Sequence, residues 1–147
     1  SILRSCNSMG GTMGTSFYLK LYFLTVTVFF IIDLIWLGIV AKGFYQKHLK
    51  FILSPRVNWT AAIIFYLIYI LGIIIFAVLP AVGKDSLRQA AGWGALFGFF
   101  TYATYDLTNL ALIKDWPLTI VVVDILWGVV LCTTVAAISF FIAKWLL

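Results

Sequence analysis

Charge is what this chain has least of. Only 10% of its residues are Asp, Glu, Lys or Arg, against about 25% in ordinary soluble domains, so a solvated surface around a separate core is excluded. There is one histidine and there are two cysteines. That removes zinc spacing and leaves no nucleophile with an adjacent base. Cys6 falls in the leading stretch and Cys132 in the middle of an apolar run, so no disulfide is expected between them. Phosphate-cradling glycine loops are missing too. The lone His48, the separated cysteines and the absent loops make an enzyme the weaker expectation; a carboxylate pair is the one catalytic arrangement the residues leave open. No metal and no cofactor is expected.

What fills the space is apolar. Hydrophobic residues make up 64% and the mean hydropathy is +1.11, which identifies an integral membrane protein. The expected fold class is all-α: a four-helix membrane bundle with a short interfacial helix between its first two spans. Residues 1–16 form a polar, acid-free extension, either the remnant of a processed leader or a tag, and residues 17–147 form one membrane domain. The spans are expected at about 18–41, 57–79, 90–113 and 118–143. Ser54-Pro55 is expected to cap and open the second span, and Pro80 with Gly83 to end it. Lys114-Asp115-Trp116-Pro117 is a tight turn into the last helix. Between spans one and two, Lys42, Lys47, His48, Lys50 and Arg56 interleave with Phe44, Tyr45, Leu49, Phe51, Ile52 and Leu53, the pattern of a helix lying in the interface. The net charge of +5 therefore points to anionic lipid head groups and away from nucleic acid. Basic residues divide equally between the two faces, so the positive-inside rule does not fix the orientation.

Of the five acidic residues, three sit singly inside apolar runs: Asp33, Asp106 and Asp124. A carboxylate in a bilayer costs about 2.5 to 3.5 kcal/mol on insertion scales, so each needs compensation. Counted from the ends of the spans at about 1.5 Å per residue, all three lie about 10 to 12 Å below one membrane face. Tyr66 reaches that depth from the second span, and Tyr69 lies a turn deeper. Tyr102, Asp106 and Asn109 share a face of the third helix, with Tyr105 and Thr108 on an adjoining one. The residues thus predict a polar layer of Asp33, Tyr66, Tyr69, Tyr102, Tyr105, Asp106, Thr108, Asn109 and Asp124. Trp36 and Trp127, each three residues beyond an Asp, are candidate indole partners. Lys47, Lys50 and Arg56 are candidate contacts for lipid phosphate. Gly94-x-x-x-Gly98, extended by Ala91 and Thr101, provides a flat face for close helix packing. With no Lys or Arg at the depth of the acids, at least one neutral carboxyl is expected.

The strings Asp33-x-x-Trp36-Leu37-Gly38, Phe44-Tyr45, Phe65-Tyr66, Pro80-Ala81, Tyr102-Ala103-Thr104-Tyr105-Asp106-Leu107-Thr108-Asn109-Leu110-Ala111, Trp116-Pro117 and Asp124-x-x-Trp127-Gly128 resemble a family of small, mostly bacterial, four-span membrane proteins catalogued as a domain of unknown function. The resemblance covers about residues 18–143 and implies the four-span fold, but no activity. A bacterial-type protein with a basic, Ser-rich start suggests a mitochondrial inner membrane if the leader is native, and a bacterial inner membrane otherwise. Two functional expectations follow. The first is a non-catalytic accessory subunit of a larger, plausibly energy-transducing membrane complex, partnered by other membrane subunits and by lipids. The second is a small proton- or cation-coupled carrier, or a lipid-head-group-binding protein, using the Asp/Tyr layer.

Overall fold

The computed structural model describes residues 13–147, and most of the expected N-terminal extension lies outside them. Of its last residues, Thr15 and Ser16 belong to the first helix. Every element among the described residues is helical: α1 (Thr15–Val40), α2 (Phe44–Leu49), α3 (Trp59–Gly83), α4 (Leu87–Leu112) and α5 (Leu118–Leu146). The helices α1, α3 and α5 are long and apolar enough to cross a membrane. At 26 residues α4 is as long as they are, but glycines, threonines, Asp106 and Asn109 interrupt its apolar run.

The helix ends correct the sequence reading in two places. Ser54 and Pro55 do not open the second long helix. The Ser54 hydroxyl instead closes a local turn on Arg56, donating to its carbonyl at 2.8 Å. The start of α3 is set by Asn58, whose Oδ1 accepts from the Ala61 amide at 3.1 Å. Pro80 does not end α3 either. A π-helical turn over Ile74–Val78 shifts the hydrogen-bond register immediately before it, so the helix absorbs the missing donor and runs on to Gly83. A second π-helical turn closes α1, where the Ala41 amide donates to the Trp36 carbonyl at 2.8 Å. Ser86 caps α4 through the Gln89 amide, three residues ahead of the expected start. The two acids outside the apolar runs, Asp85 and Asp115, occupy the short turns at either end of α4 with φ of 49° and 60°, a conformation Asp tolerates better than most residues. Asp85 also meets Lys144 at 2.5 Å, tying the α3–α4 turn to the end of α5.

Helix α5 is the axis of the fold. Leu131, Cys132, Val135, Ala136, Ser139 and Ala143 are completely buried along it. Helix α1 lies along α5, where the hydroxyls of Thr25 and Ser139 meet at 2.9 Å. The second half of α3, from the π-helical turn onward, packs on both α4 and α5.

The most extensive contact joins α4 to α5, and glycine makes it. A Cβ at Gly94 would stand 2.7 Å from both the Ala136 Cβ and the Cys132 carbonyl oxygen, and one at Gly98 would stand 2.2 Å from the Gly128 carbonyl oxygen. Across the same seam, a Cβ at Gly128 would meet the ring of Tyr102 at 2.3 Å. The small-residue face expected on α4 is thus the contact surface, and Gly128 supplies its complement.

A substitution pair reads this seam out. Gly98→Ala must push the two backbones apart and is expected to cost about 1–3 kcal/mol. Gly92→Ala, on the same helix with open space around it, should be neutral or stabilising by up to about 1 kcal/mol. Unfolding in mixed detergent–SDS micelles, followed by circular dichroism, separates the two; equal behaviour would contradict the seam.

Candidate functional site

The glycine seam places the acids. Tyr102 is one turn beyond Gly98 and Asp106 one turn beyond that, while Asp124 lies one turn before Gly128. In an antiparallel pair this brings Asp106 and Asp124 side by side, and each is the other's electrostatic neighbour. Asp106 is fully buried, and neither of its carboxyl oxygens has a hydrogen-bond partner among the described residues. Two carboxylates side by side repel strongly in a low dielectric, so the pairing is costly when both are charged.

Tyrosines reach the other acids from neighbouring helices. The Tyr66 hydroxyl of α3 donates to Asp33 Oδ2 at 2.9 Å, and the Tyr45 hydroxyl of α2 donates to Asp124 Oδ1 at 2.7 Å. Burial first, and the adjoining Asp124 second, push the Tyr45 hydroxyl above the usual phenol range, so it remains a donor at neutral pH. A turn deeper, the Tyr69 hydroxyl meets Thr101 Oγ1 at 2.8 Å and Cys132 Sγ at 3.1 Å, joining α3, α4 and α5.

The indoles are arranged differently from the expected local pairs. Trp36 and Trp127 stack on each other, with ring centroids 4.3 Å apart and planes 7° apart. Trp127 lies beside Asp33 and Trp36 beside Tyr45, so the partnerships cross between helices. The spacing from Asp33 to Trp36 remains helical, with the Trp36 amide bonded to the Ile32 and Asp33 carbonyls, so it is the packing of α1 against α5 and α2 that sets the indole on Trp127 and Tyr45. The indole N–H groups of Trp36 and Trp116 are buried without a partner among the described residues.

These groups enclose a cavity of about 380 Å³. Helix α1 contributes Asp33, Trp36 and Leu37; α2 and the chain after it contribute Tyr45, Leu49 and Leu53; α3 contributes Phe65 and Tyr66. The remaining wall is Tyr102 and Tyr105 from α4, Trp116 from the turn, and Ile120, Asp124 and Trp127 from α5. The wall so described contains two carboxylates and no Lys, Arg or His.

Not every expected member takes part. Thr108 is a correction: it is exposed, and its hydroxyl bonds to the carbonyls of Thr104 and Tyr105 on its own helix, because the face adjoining Asp106 points outward. Asn109 is half-buried and lies beside Tyr105, outside the cavity wall. Lys47, Lys50 and Arg56 are exposed on the chain that roofs the cavity and do not line it. Three participants escaped the sequence reading. Tyr45 shares the apolar face of α2 with Leu49, four residues on, and that spacing is the signal that could have found it. Trp116 was taken as turn chemistry, yet it is 7% exposed and stands edge-on to Tyr105. Thr101 was read on the face adjoining Asp106 and in the packing row, but not as a partner of Tyr69.

The Tyr45–Asp124 bond couples the short α2 to α5. Tyr45→Phe and Asp124→Asn are expected to be non-additive in unfolding free energy by about 0.5–2 kcal/mol, whereas Tyr45→Phe with Asp33→Asn should add to within about 0.5 kcal/mol. A double-mutant cycle in mixed micelles measures both.

No curated protein and no solved structure matches the chain. The model of a family described as "Predicted membrane protein (DUF2177)", a domain of unknown function, matches residues 18–141, a stretch that contains all three buried carboxylates and both stacked indoles. The chain belongs to this family of membrane proteins.

Proposed function

We propose that the protein is a four-span membrane protein that binds the positively charged head group of a membrane amphiphile in its Asp/Tyr/Trp cavity. In this reading α4 is the remaining span: its polar residues Tyr102 and Asp106 face inward, and its outer face carries Leu96, Phe99, Phe100 and Leu107 to the lipid. The basic, aromatic α2 lies in the interface and roofs the cavity, with Tyr45 holding it to Asp124.

One observation carries the proposal: a cavity walled by two carboxylates, four tyrosines and three indoles, without a cation among them. Buried carboxylates attract positive charge, and aromatic faces add cation–π attraction for weakly hydrated organic cations. A small inorganic ion fits less well. Among the described residues no three His, Cys, Asp or Glu side chains stand close enough to ligate one. An ammonium group between Asp33 and Asp124 leaves a zwitterionic lipid's phosphate near the roof, where Lys47, Lys50 and Arg56 are exposed. The unpartnered N–H groups of Trp36 and Trp116 suit an acceptor on the same head group.

A second reading, a non-catalytic subunit of a larger membrane assembly, is supported by the unpartnered aromatic faces of α1 and α3, where Phe23, Trp59 and Phe76 are more than half exposed. Stoichiometric co-migration with other subunits in mild detergent would favour it.

The head-group reading is tested with tetramethylammonium chloride titrated into the purified full chain in nanodiscs, with tryptophan fluorescence as the signal. Saturable binding is expected that sodium chloride at equal ionic strength does not reproduce. Asp33→Asn and Asp124→Asn should each weaken it tenfold or more, equivalent to about 1.4 kcal/mol. Unchanged affinity in both variants would contradict the proposal.

A further inference from the structure

Outside the cavity a cleft follows the line between α3 and α4. The helices part on the cavity side of the Tyr69–Thr101 contact; on the other side they pack together, with Phe97 over Gly72 and the π-helical turn of α3 against α4, and the cleft runs as a groove over that seam. Toward the cavity, the gap is about 670 Å³ and is lined by Tyr69, Phe100, Thr101 and Thr104, and it shares Phe65, Tyr102, Tyr105 and Asp124 with the cavity wall. In the other direction a groove of about 640 Å³ continues over Phe76, Leu96, Phe97 and Trp93, and the two halves join at Phe100 and Thr101. Each volume lies within the range of about 300–1,000 Å³ typical of ligand sites. The cleft opens outward, since Phe65, Phe100 and Trp93 on its rim are each more than half exposed.

Resting on the head-group reading, we infer that the ligand is a single-chain ammonium amphiphile that enters sideways from the lipid through this cleft, with its hydrocarbon chain lying along α4 toward Trp93. Three observations commit the site to that occupant. Charge complementarity fixes the head: the cleft ends at Asp124 in a wall that holds two carboxylates and no basic residue. Lining chemistry fixes the tail, because beyond Tyr102 the groove is aromatic and aliphatic except for Thr101, Thr104 and, at its far end, Lys84 and Gln89. Length fixes the reach: Tyr102 to Trp93 is nine residues of helix, about 14 Å, which matches a chain of about a dozen carbons. Thr104 does not oppose the chain, because its hydroxyl already donates to the Phe100 carbonyl at 2.6 Å.

The experiment uses the purified full chain in nanodiscs with dodecyltrimethylammonium, tetramethylammonium and dodecanoate as probes. Dodecyltrimethylammonium is expected to bind at least a hundredfold more tightly than tetramethylammonium, and dodecanoate to show no saturable binding. Thr104→Trp, which fills the cleft from an exposed position, should reduce the affinity of the long probe tenfold or more and leave tetramethylammonium unchanged. An independent readout is 12-bromododecyltrimethylammonium, whose terminal bromine should quench fluorescence that Trp93→Phe abolishes, and should fail to do so in Asp33→Asn/Asp124→Asn. Equal binding of the long cation and of dodecanoate overturns the inference, as does quenching of Trp93 that ignores the acids. A long probe no tighter than the short one, with acid-dependent binding of the short one intact, removes the lateral chain and keeps the head-group site. Acid-independent binding of both removes the two readings together.

Discussion

Two helices brought into backbone contact determine the interior of this protein. At the Gly94, Gly98 and Gly128 crossings α4 and α5 stand closer than any side chain permits, and in lipid, where hydrophobicity does not drive helices together, such contact is what specifies a pairing. Register follows from it. Once Gly98 faces Gly128, Tyr102 must lie over Gly128, and Asp106 must arrive beside Asp124. The remaining helices add donors to acids whose positions are already fixed: Tyr66 to Asp33, and Tyr45 to Asp124.

The carboxylates therefore play two physical roles that one residue type could disguise. Asp106 is sealed, without exposure and without a donor among the described residues, and its neighbour is another acid. Asp33 and Asp124 each accept from a tyrosine and line an open cavity. A clasp alone would need only the tyrosine bonds, with no space beside them. The open wall is what raises a binding role above a purely structural one, because it leaves acidic and aromatic surface aimed at space.

Much of this was legible in the sequence. Four long helices, the inward face of Tyr102 and Asp106 and the glycine row all follow from helical spacing. What spacing could not give was rotation and register. The Trp36 indole was assigned to Asp33 three residues before it, but it stacks on Trp127, a partner that only the rotation of α1 against α5 decides. Thr108 was misplaced because both faces flanking Asp106 look equally polar on paper, and only packing against α5 chooses between them. Pro80 failed as a terminator because a π-helical turn changes the helical register immediately before it.

The distribution of partners also bears on how such a chain is made. Ribosomes deliver α1 and α3 to the membrane before α4 and α5 exist, so Asp33 would wait in hydrocarbon if its donor came from the C-terminal pair. Its tyrosine comes instead from Tyr66 on α3, the next long helix to emerge. Asp106 and Asp124 likewise leave the insertion machinery on consecutive helices that pair through their own glycines. Asp33 thus gains its tyrosine donor from the first half of the protein, and the Tyr45–Asp124 bond, joining the first half to the second, can form only after α5 has been made.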